Sequence, residues 1–344
     1  MNKMVFALPL VALVAACGGN GSNSKAGAQI KVVGSSTVYP FTTAVAEEYQ
    51  RANAGTSVIV ESTGTGAGMK LFCAGVGDQY PDMVDASRPM KASEYADCVK
   101  AGAKNVIEVP IGIDGLTLIE AKGQPALNLT VADIYKALAA NPFGKPNTAK
   151  TWKDIDPSLP AIKIRVLGPP PTSGTRDSLA DLILTKGCES DPAMKELKKS
   201  DEKKQKDVCT KIREDGVYVE AGENDNLLVQ KVAADPGSLG VLGFSFLEEN
   251  LDKVSAVSLA GIAPTEATIS DLSYPGSRKL YIYVKGEHMT AKPGIKQFVA
   301  AYAKAIGKGG SLEKRGLVPF GGADFTSATA QAAALTPLDP AGLK

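Results

Sequence analysis

The sequence predicts an α/β protein of two lobes joined by two hinge strands. From Ile30 onward, short apolar runs alternate with amphipathic segments, the pattern of a largely parallel sheet flanked by helices. The 344-residue chain leaves about 320 residues beyond its N-terminal segment, which suits two domains. Two extended runs, near Val109 to Leu118 and Lys279 to Val284, read as the chain leaving one lobe and returning, with a cleft between. Lobe I is then expected over residues 29–112 and 279–344, and lobe II over 113–278.

Each element follows from its local pattern. Ile30 to Val33 reads as a buried strand. Val38 to Arg51 reads as a helix, because Phe41, Val45 and Tyr49 recur on one face. Ser57 to Glu61 is a β-rich run, and Gly66 to Ala74 a helix with Met69, Leu71 and Phe72 on its apolar face. Met83-Val84 is a short strand, and Ser93 to Ala101 a helix carrying Cys98. Val106 to Glu120 is extended and broken by Gly112 and Gly115. Val131 to Ala139 is helical, Lys163 to Leu167 a strand and Ser178 to Leu184 a helix. Asp201 to Arg213 reads as a charged, solvated helix whose lysines are plain surface. Leu227 to Ala234 is a helix, Val241 to Phe246 and Lys279 to Val284 are strands, and Ile295 to Ile306 is a helix. From Gly321 the weakly periodic Ala, Thr and Pro tail is expected to drape over the surface.

The N-terminus bears on compartment. Lys3 precedes Val5 to Ala16, which is apolar apart from Pro9. That run is short of the ~20 residues a spanning helix needs, and has the length of a signal-peptide core. It ends in Val14-Ala15-Ala16-Cys17, which resembles a lipobox; the resemblance implies cleavage before Cys17 and acylation of that residue. Residues 1–16 are thus expected to be a signal peptide, and 17–28 a lipidated cysteine with a flexible tether. The protein is expected to be extracytoplasmic and held to the membrane by that anchor alone. Four cysteines remain, Cys73, Cys98, Cys188 and Cys209, which allow three pairings. The simplest closes two local loops, Cys73–Cys98 and Cys188–Cys209, in an oxidising compartment. Close C-x-x-C spacing is absent and His288 is the single histidine, so neither a metal nor a cofactor is expected. With 38 basic and 37 acidic residues there is no global field for nucleic acid, and an anion site must be built locally.

Four segments share one design. They are Gly34 to Pro40, Ser62 to Gly68, Asp85 to Pro89 and Thr172 to Asp177. Glycine, serine and threonine gather there between strand ends and helix starts. A helix start presents unpaired N–H groups and a dipole that favours negative charge. Hydroxyls add donors, and the forks of Arg88 and Arg176 can hold two oxygens of a tetrahedral oxyanion. Losing either arginine should cost ~2–5 kcal/mol of binding if it is buried against the ion. None of the four fits a nucleotide P-loop, and STGTGAG mimics a dinucleotide fingerprint only weakly.

GSSTVYPF, STGTGAG, DASRPM and PTSGTR, together with LTVADIY, Trp152 to Ile155 and Gly240 to Phe244, resemble in order and spacing the PstS family. These are the phosphate-binding proteins of bacterial phosphate ABC transporters, type II periplasmic binding proteins; the resemblance covers about residues 28 to 320. It implies a Venus flytrap that closes on inorganic phosphate and delivers it to a membrane permease. It is expected to be a monomer, with no enzymatic activity. Ligand contacts would fall on Ser36, Thr37, the Val38 backbone, Thr65, Ser173, Gly174 and Thr175, with Ser87, Arg88 and Arg176 beside them. Arg88 stands where many members carry an Asp that accepts the proton of phosphate and helps reject sulfate. Asp85, Glu223 and Asp225 are the candidate replacements, with the Glu220 to Asn226 segment favoured. The alternatives are another oxyanion, a phosphorylated ligand such as a lipid headgroup, or a phosphatase.

Overall fold

The computed structural model describes residues 29–343 apart from 172 and 223. The expected signal segment, Cys17 and its tether, Thr172 and Glu223 lie outside the described residues. The chain opens with β1 (Ile30–Gly34), α1 (Tyr39–Ala52), β2 (Val58–Ser62), α2 (Thr65–Phe72), β3 (Met83–Ala86) and α3 (Ala92–Lys100). The long β4 (Val106–Ala121) leads to β5 (Asn128–Leu129), α4 (Val131–Leu138), α5 (Trp152–Ile155) and β6 (Val166–Gly168). A continuous helical stretch follows: α6 (Gly174–Ser178), a π-helical segment at Leu179–Leu184, and α7 (Thr185–Cys188). Next come α8 (Pro192–Ser200), α9 (Glu202–Thr210), β7 (Tyr218–Glu220), α10 (Asp225–Ala234), β8 (Leu239–Gly243) and α11 (Phe244–Glu248). The chain ends with β9 (Val254–Ala256), β10 (Ser258–Leu259), α12 (Glu266–Ser270), β11 (Ser277–Lys285), α13 (Gly294–Ala305) and α14 (Gly322–Ala334).

Among the described residues, nine strands form one sheet in the order β2-β1-β3-β11-β4-β8-β6-β7, with β9 also on β4. β2, β1 and β3 are parallel in one half, and β8, β6 and β7 in the other. Two antiparallel strands stand between. β4 pairs with β11 from Val106 to Gly115 and with β8 from Leu116 to Glu120, so a single strand carries the chain across. β11 brings it back, starting with Ser277 opposite Gly115. Gly112 and Gly115 do not break β4 as expected; a bulge opposite Leu280 and Tyr281 absorbs the irregularity.

Strand alternation divides the core. Ile30, Val32 and Met83 point to the large cluster built with α1 and α13, while Val33, Val84 and Ala86 pack on Met69, Phe72 and Met90 beyond the sheet. Cys73–Cys98 closes within this second cluster, and Cys188–Cys209 joins α7 to α9. Three local expectations are corrected. Leu71 is 46% exposed, so α2 buries Met69 and Phe72 without it. β8 stops at Gly243, and Phe244 to Phe246 turn into α11. The tail beyond Gly321 forms α14, which buries Ala328 and Ala332, and Leu338 N–H then donates to Val106 O at 2.7 Å.

Candidate anion-binding cleft

Three of the four glycine- and hydroxyl-rich loops leave the carboxyl ends of neighbouring parallel strands β2, β1 and β3; the fourth follows β6. Ligands of open α/β sheets bind beyond such ends. The loops here border a cleft of ≈ 1430 Å³ lined from both halves of the sheet.

Loops one to three are a single hydrogen-bonded unit. Gly34 has φ +133°, and a Cβ there would lie 2.2 Å from Asp85 O, so only glycine lets the first loop press on the third. Ser35 N–H donates to Asp85 O at 2.9 Å, and Gly34 O accepts from Thr63 and Gly64 N–H at 2.9 and 2.7 Å. Ser87 N–H donates to Thr65 Oγ1 at 3.1 Å. At the start of α2 no side chain caps the helix. The N–H groups of Thr65, Gly66 and Ala67 have no partner among the described residues, and all three residues line the cleft. Thr63 Oγ1, in the same wall, is also buried without a partner. An incoming acceptor would satisfy these donors.

The fourth loop meets the first from the other half. A Cβ on Gly174 would lie 2.7 Å from both Ser36 O and Thr37 Cα. Thr37 Oγ1 donates to Gly174 O at 3.2 Å, and Ser36 Oγ donates to Asp177 Oδ2. Ser173 Oγ caps α6 by accepting from Thr175 N–H at 3.2 Å. Arg278, its side chain 9% exposed, ties the seam together. It donates to Thr37 Oγ1 at 2.9 Å and Ser178 Oγ at 2.7 Å, and pairs with Asp114 at 3.1 Å and Asp181 at 3.2 Å. Sequence reasoning missed Arg278, which opens the returning strand and belongs to none of the loops.

Ser36, Thr65, Ser87, Arg88 and Arg176 all line the cleft. Thr37 and Gly174 form the seam, while Ser173 and Thr175 build the first turn of α6. Val38 is fully buried and its N–H turns to Ser35 Oγ at 3.4 Å. Both Nη atoms of Arg88 donate to Glu94, at 2.9 and 2.7 Å. Burial works against that guanidinium charge, but Glu94 outweighs it and holds the Arg88 pKa above its usual value. Arg176 lies 4.4 Å over the Tyr218 ring and donates to Pro169 O at 3.3 Å.

The candidate acids separate sharply. Asp85 turns into the interior, where both its oxygens accept from Thr42 Oγ1 at 2.8 Å. Burial pushes its carboxyl up to about 8, with the Thr42 bond opposing. Asp225 opens α10 outside the cleft walls, and burial raises it to about 6. Asp177 lines the cleft, a carboxylate within the fourth motif that sequence reasoning passed over. The walls carry ten Lys and Arg against four Asp and Glu, in a chain of net charge +1. α9 contributes Glu202, Lys203, Gln205 and Lys206 to them; its lysines are exposed, as expected, and two of them border the cleft. Among the described residues no group of three or more His, Cys, Asp or Glu is placed to hold a metal, and no helix is long and apolar enough to cross a membrane.

Two α/β halves slung on a crossing pair of strands, with loops at strand carboxyl ends around a cleft, define a bilobal solute-binding protein. The chain belongs to the PBP superfamily, whose domain model matches residues 20–303, and within it to the PstS family. It is 32% identical over 338 residues to Protein SphX of Synechococcus elongatus, covering 96% of this chain and 88% of that one. It is 30% identical over 321 residues to the phosphate-binding protein PstS of Staphylococcus saprophyticus, covering 91% and 88%. A solved structure of a possible phosphate binding protein from Planctomyces limnophilus aligns with TM-score 0.72 at 28% identity, covering 89% of this chain and 98% of that one. An ABC-type phosphate transport receptor from Vibrio cholerae shares the fold at TM-score 0.56 and 21% identity, over 83% and 96%.

Proposed function

We propose that the protein captures inorganic phosphate in this cleft outside the cytoplasm and delivers it to the permease of an ABC transporter. The observation that carries the reading is the uncapped start of α2: the N–H groups of Thr65, Gly66 and Ala67 have no partner among the described residues, and these residues line the cleft with Ser36 and Ser87. A tetrahedral oxyanion there would accept backbone and hydroxyl donors, sit on the positive end of the helix dipole, and meet Arg176 from the other half. The names of the relatives point to the same ligand.

Asp177 is the proposed proton acceptor. HPO4²⁻ has a proton to donate to a carboxylate, and sulfate at neutral pH has none. Among the described residues Asp177 receives a hydrogen bond from Ser36 alone, which leaves acceptor capacity. The lobes, 29–112 with 279–344 and 113–278, would close about β4 and β11. The protein works as a monomer held to the membrane by acylated Cys17. Its single histidine is occupied elsewhere: His288 Nδ1 lies 2.7 Å from Asp82 Oδ1, and Nε2 accepts from Gly77 N–H at 2.9 Å. Binding is therefore favoured over hydrolysis, and no phosphate should be released from a chromogenic ester. Titration calorimetry with phosphate, sulfate and a phosphate monoester tests the whole reading. Saturable one-to-one phosphate binding with little response to sulfate or ester is expected; a preference for the ester would overturn it.

A further inference from the structure

The charge of the cleft exceeds what one phosphate ion needs. Three of its four acids are already paired with a cation: Glu94 with Arg88 at 2.7 Å, Glu202 with Lys91 at 2.8 Å and Asp181 with Arg278 at 3.2 Å; the fourth, Asp177, is the proposed acceptor of the phosphate proton. Lys70, Lys203 and Lys206 line the same cleft with no acidic partner among the described residues. Lys70 is on α2, and Lys203 and Lys206 stand one turn apart on α9. That helix is fixed in place. Cys209 is bonded to Cys188, and buried Gln205 donates to Glu189 at 3.3 Å. Lys203 and Lys206 are therefore carried into the cleft that the four loops border by a helix held in position. The open cleft of ≈ 1430 Å³ leaves room for a ligand longer than one phosphate to enter.

We infer that the cleft also takes linear condensed phosphates, such as pyrophosphate and tripolyphosphate. One terminal phosphoryl group occupies the four-loop site, and the rest of the chain runs along Lys203 and Lys206 with Lys70 opposite. Such a ligand spreads several negative charges along one axis, which matches a strip of unpaired ammonium groups better than a single ion does. The inference rests on the phosphate reading above, because the terminal group uses the same donors.

Calorimetric titration of the full chain with orthophosphate and with sodium tripolyphosphate, at physiological ionic strength, tests it. The variants are K203Q/K206Q and, as a charge-matched control, K195Q/K204Q, whose lysines do not line the cleft. The expected result is one-to-one tripolyphosphate binding that orthophosphate displaces. K203Q/K206Q weakens tripolyphosphate about tenfold or more and orthophosphate less than about threefold, and the control changes neither. Orthophosphate binding without tripolyphosphate binding would overturn the inference and leave the phosphate reading intact. So would equal losses in both double variants, which would mean a general field and no subsite. Failure of both ligands to bind the wild-type chain would overturn the phosphate reading itself.

Discussion

Asp177 and Asp85 are two carboxylates that the fold treats in opposite ways. Asp177 lines the cleft and accepts from Ser36, and it is the carboxylate proposed to receive the proton of a bound ion. Asp177→Asn should weaken phosphate by about tenfold while leaving sulfate unchanged or tighter, read by calorimetry with both ions. Equal losses for the two would remove Asp177 from selectivity. Asp85 is buried against Thr42 and Tyr302, and its carboxyl is raised to about 8. The folded state therefore binds a proton that the unfolded chain releases near its ordinary value of 3.8. The contribution is full below about 4 and is lost as pH rises through about 8. Thermal melting across pH 4 to 9 should show this loss, and Asp85→Asn should flatten it. The loops were legible in the sequence because four of them follow strands in one chain, whereas any one alone would read as an ordinary helix cap, as Ser173 also is. Which acid faced them was not, although strand alternation held a signal. Met83 and Asp85 lie two apart on β3, so both point to the interior face that packs on α1.

At the scale of elements, the seam between the first and fourth loops sets the site. Gly174→Ala would place a Cβ 2.7 Å from the Thr37 backbone and push α6 off the first loop. It should cost about 1–3 kcal/mol of stability by denaturant unfolding and reduce phosphate affinity about tenfold. The α8–α9 hairpin depends on its staple. Cys188→Ser/Cys209→Ser reopens a loop of sequence separation 21. It should lower stability by about 3 kcal/mol, with hydrogen exchange rising first in α8 and α9. Legibility at this scale follows side-chain size. Phe41, Val45 and Tyr49 mark α1 plainly, and all three are buried. The helix α14, built mostly of Ala, Thr and Ser, buries only Ala328 and Ala332 and so leaves no strong apolar period.

Across the whole molecule, one strand decides the architecture. β4 belongs to both halves, and its pairing with β11 is non-local, so the sequence indicated two crossings without showing that they pair along their length. Composition spoke to the absence of a global field, yet the positive cleft arises only when α2, α6 and α9 converge from distant positions. Arg278 shows the same limit, because its partners come from three segments: Thr37 in the first loop, Asp114 on β4, and Ser178 and Asp181 on the helical stretch that begins with α6. Closure about β4 and β11 would draw Arg176 and the start of α6 toward the start of α2, enclosing an ion between the two halves. The most direct measurement is a crystal structure of the chain grown with phosphate. The prediction is one phosphate ion accepting the Thr65, Gly66 and Ala67 N–H groups, touched by Ser36 and Arg176, with one oxygen within hydrogen-bond distance of Asp177. A phosphate bound elsewhere, or a closed cleft with those N–H groups still without a partner, would contradict it.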